Sequence, residues 1–141
     1  MRRFAAALVL LSAAGLPAAA EDARAPVKLP PDMRAPFLEH MRHHMDSLDD
    51  LIAAMAAGDF ARAAQVARTE LVVGGGQGFG RFLPIEFREM GLAMHRAAAD
   101  FATVAAAIPK EPQAADWKKA VIALEDISAQ CRGCHAAFRL E

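Results

Sequence analysis

A chain of 141 residues, 55% apolar, with 16 basic and 17 acidic residues and two cysteines, has the length of one domain and enough apolar material for a single core. The near-neutral balance excludes the strongly basic face that a nucleic-acid partner favours. A disulfide framework is excluded as well, because a Cys131–Cys134 bridge would close too small a loop to add much chain-entropy stabilisation.

The first 20 residues read as an export leader. Arg2 and Arg3 precede the apolar run "FAAALVLLSAAGL", and "AAA" before Glu21 offers small residues for cleavage after Ala20. The run falls short of the roughly 20 apolar residues of a membrane span, and no later run qualifies. Losing Arg2 and Arg3 with the leader leaves 14 basic against 17 acidic residues, a net charge of −3. The expected product is an exported, periplasmic chain with no transmembrane segment.

Residues 21–30, "EDARAPVKLP", read as a linker, and residues 31–141 as one helical domain. Pro31 suits an early helical position, and a first helix runs from it to about Ala57, before Gly58. Phe37, Met41, Met45 (or His44), Leu48, Ile52 and Met55 recur along one face at helical spacing. Asp59 is a good N-cap for a second helix carrying Phe60, Ala64, Ala67 and Leu71.

"VVGGGQGFGRFLP" follows. Gly75 and Gly80 have phosphate-loop spacing, but Arg81 and Phe82 stand where Lys and Ser/Thr are required, and no strand precedes them. The dinucleotide pattern fails in every register, so the segment reads as a connector. A third helix runs from Pro84 to about Ile108, with Phe87, Met90 or Gly91, Met94, Ala98, Phe101, Ala105 and Ile108 on its inner stripe. Gly91 weakens this helix slightly and lets another surface approach. After "PKEP", a fourth helix runs from about Gln113 to Arg139, with Trp117, Val121, Leu124, Ser128, Cys131, His135 and Phe138 on one side. No stretch has the alternation of a strand. The expected fold is all-α, an antiparallel four-helix bundle.

Cys131-Arg132-Gly133-Cys134-His135 is the C-x-x-C-H signature of covalent haem attachment. Two thiols that add to two vinyl groups must leave the same side of one helical turn, and the adjacent histidine then presents its imidazole to the iron. Gly133 is expected to keep the turn uncluttered beneath the macrocycle. A thioredoxin-like redox pair would open a helix in a βαβ context, whereas this motif closes a chain. Zinc would need more ligands than these residues conveniently provide. One haem c, held by Cys131, Cys134 and His135 near the end of the fourth helix, is the expectation.

With four helices, an exported chain of this length and the ending C-x-x-C-H-x-x-F-R, the sequence resembles the class II cytochromes c, the cytochrome c′ group and its low-spin relatives. The match covers most of the mature chain by pattern but only its last dozen residues by motif. The resemblance implies that Arg139 lies beside the proximal histidine and the haem propionates. An ordinary solvated arginine, favoured at a helix C-terminus, is the other reading. It also implies an unidentified periplasmic redox partner and a homodimer paired through the first two helices, which the alanine-rich second helix permits.

By the same resemblance, low-spin members take a methionine from the first helix as sixth iron ligand and carry electrons. Cytochrome c′ members place an apolar residue there and bind nitric oxide or other small gases. "EHMRHHMDSL" supplies His40, Met41, His43, His44 and Met45. Met41 falls within one residue of the family's distal position and is the leading ligand, with Met45, His44 and Met94 behind it; a buried methionine also fills irregular core space. One-electron transfer is therefore the expected function, and gas binding at five-coordinate iron its alternative.

A metal-binding bundle is the second alternative, since thioethers suit Cu(I) and imidazoles several metals. His40, His43 and His44, however, span a wide arc of helix. No catalytic residues are expected: there is no Ser–His–acid order and no second haem motif, and Glu86 and Glu89 suit the dipole at the start of the third helix.

Overall fold

Helix boundaries follow local chemistry. In the computed structural model, which describes residues 21–74 and 78–141, helix α1 spans Pro31–Ala56 with proline in its first turn, where the missing N–H costs nothing. Helix α2 spans Phe60–Glu70, and the Asp59 carboxylate caps it by accepting from the Arg62 N–H at 2.9 Å. A 3-10 turn at Phe79–Phe82 precedes α3, Ile85–Ala106. Helix α4, Ala114–Ala137, opens on a reciprocal capping box between Gln113 and Asp116, which satisfies two orphan backbone donors. The leader with its cleavage point, and Gly75 of the connector, lie outside the described residues.

The four helices pack together in chain order, α1 on α2, α2 on α3 and α3 on α4. Small side chains permit this. Ala63, Ala98 and Ala120 are fully buried with Leu51 and Phe101, so neighbouring backbones approach closely at the core. Phe60 meets Trp117 edge-on at 4.7 Å between ring centroids, tying the start of α2 to α4. Among the described helices, none is long and apolar enough to cross a membrane.

Two expectations are corrected. The segment read as a linker contains strand β1, Ala25–Val27, paired in parallel with strand β2, Phe138–Leu140. Helix α4 therefore stops at Ala137 instead of reaching Arg139, because Phe138 turns to extended backbone (φ −127°, ψ 150°). Each strand is three residues long, too short to leave an alternating pattern.

The buried stripes also shift by about one residue in two helices. In α1, Leu51, Ala54 and Met55 are buried while Ile52 is 48% exposed; in α4, Ala120, Ala123 and Ile127 are buried while Val121 is 53% exposed. Adjacent apolar residues differ by only about 100° around a helix, so the neighbouring helix decides which of them is buried. In α3 the expected Met94, Ala98, Phe101 and Ala105 are buried as predicted.

Emptying the fully buried Phe101 site by Phe101→Ala should cost about 3–5 kcal/mol, whereas Val121→Ala should stay within about 0.5 kcal/mol. Urea denaturation of the two variants checks this; equal losses would contradict the register of α4.

Candidate functional site

At one end of the bundle the helices do not close. The N-terminal halves of α1 and α3 and the last turns of α4 surround a cleft of about 380 Å³, lined by Met41, His44, Gly91, His95, Cys131, Cys134 and His135 among others. A second cavity of about 290 Å³ adjoins it under the terminal strands, lined by Arg24, Val27, Phe138 and Arg139. Phe37, Met41, Phe87, Cys134 and His135 border both, so these five residues form the seam between them. The larger volume lies in the range of ordinary ligand sites, about 300–1,000 Å³, and the smaller falls just below it.

An aromatic wall runs along the seam. Phe79 meets Phe37 at 5.4 Å, Phe37 meets Phe87 at 5.9 Å, and Phe87 meets Phe138 at 5.2 Å. Each step takes the tilted or edge-on geometry that ring quadrupoles favour. Gly91 borders the cleft, and a Cβ built there would meet nothing within 4 Å, so its missing side chain widens the space for a flat ligand. Gly133 does something other than expected: a Cβ on it would come to 3.4 Å from Cε of Met90, so it faces α3 and not the cleft.

Cys131 and Cys134 are half-buried free thiols, one helical turn apart and on the same side of α4. Burial pushes both above the ordinary thiol range, and for Cys134 the neighbouring Cys131 adds to the rise. At neutral pH both are protonated. A low-pKa redox cysteine and a thiolate metal ligand have the opposite shift. His135 follows on the exposed side of the turn, and its carbonyl accepts from Nη1 of Arg24 at 3.3 Å.

Arg139 lies on β2, not on a helical C-terminus. Its Nη2 donates to Glu141 at 3.2 Å, Asp22 stands 4.0 Å from its Nε, and that Nε is buried without a hydrogen-bond partner. Arg24, the cation that pulls the Asp22 carboxyl down to about 2, borders the same cavity. Two guanidiniums thus stand at one edge of an otherwise apolar space, an arrangement suited to carboxylates. Nothing in the sequence pointed to Arg24; only the pairing of β1 with β2 brings it there.

The distal candidates separate. Met41 is half-buried on the seam, Met94 is buried against the cleft, and Met45 is 56% exposed at its rim. His43 turns away toward α2, with Nε2 3.3 Å from Glu70. His40 and His44 instead meet edge-on at 4.3 Å, and His44 meets His95 of α3 edge-on at 5.5 Å. His95 Nδ1–H donates to the Leu71 carbonyl at 2.8 Å, which leaves its Nε2 as the lone-pair nitrogen. His44 Nε2 is buried with no partner. Burial, reinforced by His40, His95 and His43, lowers the His44 pKa to about 4, and burial lowers that of His40 too. Among the described residues no three His, Cys, Asp or Glu side chains converge closely enough to hold a metal ion by themselves.

The chain matches no protein-family model, no curated protein and no solved structure. Its chemistry is read from these residues alone.

Between its ordinary value of 6.5 and the folded value of about 4, the His44 imidazole binds a proton in the unfolded chain and not in the folded one. The stability of its neutral form is complete above pH 6.5 and drains away as pH falls toward 4. His44→Leu should flatten that loss, followed as the urea midpoint against pH; an unchanged acid limb would assign the sensitivity to other groups.

Proposed function

We propose that this chain is an exported, periplasmic c-type cytochrome of the class II kind, an antiparallel four-helix bundle that carries one covalent haem and passes single electrons. One observation carries the reading. Cys134 and His135 on α4 and Met41 on α1 border the seam common to both cavities, while Cys131 borders the larger cavity one turn before.

In this reading Cys131 and Cys134 would hold haem through two thioethers, each thiol contributing its sulfur to one vinyl carbon and its hydrogen to the neighbouring carbon, so that no oxidant would be consumed. His135 would hold the iron through its imidazole and Met41 through its thioether. Haem bound in this way supplies a one-electron ferric/ferrous couple. The Met41 thioether favours the ferrous form and raises the potential relative to a second imidazole. Phe37, Phe79, Phe87 and Phe138 would exclude water from the ring, and Arg24 and Arg139 would donate to its carboxylates at the strand edge. Exposed Met45, Val73 and Leu92 rim the cleft, giving a redox partner an apolar surface close to the ring.

Gas binding is the reading that stands if Met41 only packs against an open iron face. A metal-handling bundle is less well supported, since His43 turns away to Glu70 and, among the described residues, no three His, Cys, Asp or Glu side chains converge to hold an ion.

The mature chain, made with haem-attachment machinery, should retain haem under denaturing conditions, and Cys131→Ser with Cys134→Ser together should abolish that retention. Ferric and ferrous spectra, with and without nitric oxide or carbon monoxide, decide the function. A low-spin spectrum with the iron–thioether charge-transfer band and little response to gas is the expected result. A high-spin spectrum that shifts at once with gas would replace electron transfer by gas binding.

A further inference from the structure

Buried polar atoms without partners are costly, and His44 Nε2 is such an atom. His44 borders the same cleft as Cys131, Cys134 and His135. It lies three residues after Met41 on one helix, a spacing that puts both on the same face. Its ring is held between His40 at 4.3 Å and His95 at 5.5 Å, and His95 is itself anchored to the Leu71 carbonyl of the neighbouring segment.

We propose that His44 is a second iron-ligating side chain on the far wall of the cleft, which takes the iron when the Met41 thioether is not bound to it. The inference rests on the haem reading above and names a residue that reading leaves without a task. Imidazole is a good ligand for iron. With no hydrogen-bond partner on Nε2, no protein group competes with the iron for that atom. The exchange is balanced: one iron–sulfur bond breaks, one iron–nitrogen bond forms, and both ligands are neutral, so no electron or proton changes hands. His44 need only turn about its side-chain bonds, because helix α1 already carries it to the cleft. A methionine there would need no explanation, since a thioether is at home in an apolar site; an unpartnered imidazole does.

Met41→Leu keeps volume and apolarity, and Met41→Ala gives the same readout if the leucine variant does not load haem. The purified holoprotein variant should lose the charge-transfer band yet remain low-spin, bind carbon monoxide poorly, and show a lower midpoint potential than the wild type. Adding His44→Leu should convert it to a high-spin form that binds carbon monoxide at once. If Met41→Leu alone becomes high-spin with haem still attached, His44 is packing and the proposal falls. A wild-type holoprotein that is already high-spin overturns it equally. Wild-type protein that retains no covalent haem would instead remove the haem reading on which the proposal stands.

Discussion

The four helices close tightly at one end and not at the other, and the site depends on that inequality. Ala63, Ala98, Ala102, Ala105 and Ala120 are all at or near complete burial, and small side chains let helix axes approach. Toward the other end the helices carry Phe37, Phe87, Met94 and His95, whose bulk holds the walls apart. Helices α1 and α4 touch far less than the consecutive pairs do, so the space between them persists as the cleft.

That cleft sorts charge. Along its deep wall burial favours neutral groups: both thiols stay protonated, and His40 and His44 stay unprotonated. The physical cause is the same in each case, since removal from water penalises the charged form. At the strand edge the opposite holds, with Arg24 and Arg139 facing Asp22 across exposed surface. A flat ligand with an apolar body and an anionic rim fits such a division.

The paired strands join residues 25–27 to residues 138–140 beside the site. Val27 on β1 is 2% exposed, and Glu141 N–H donates to its carbonyl at 3.1 Å. The same pairing carries Arg24 to the carbonyl of His135. Residues 24–27 thus brace the turn that follows the cysteines. Loss of β1 would uncover the smaller cavity while leaving the alanine-packed end of the bundle intact.

Helix number, the cap at Asp59, and the inner stripe of α3 were legible in the sequence because they depend on local hydrogen bonding and on helical period. So was the Cys131–Cys134–His135 spacing, which one turn of helix determines by itself. The choice between Leu51 and Ile52, or between Ala120 and Val121, was not, because neighbours around a helix are equally apolar and only the packing partner selects one. The same holds for the histidines. "HMRHHM" supplies three imidazoles in sequence, but tertiary packing sends His43 toward Glu70 and gathers His40 and His44 with His95, which lies about fifty residues later in the chain. The chain alone determined which chemical groups are present and their period. Which of them meet across the cleft was decided by helix packing and by two three-residue strands, whose pairing has no local signature.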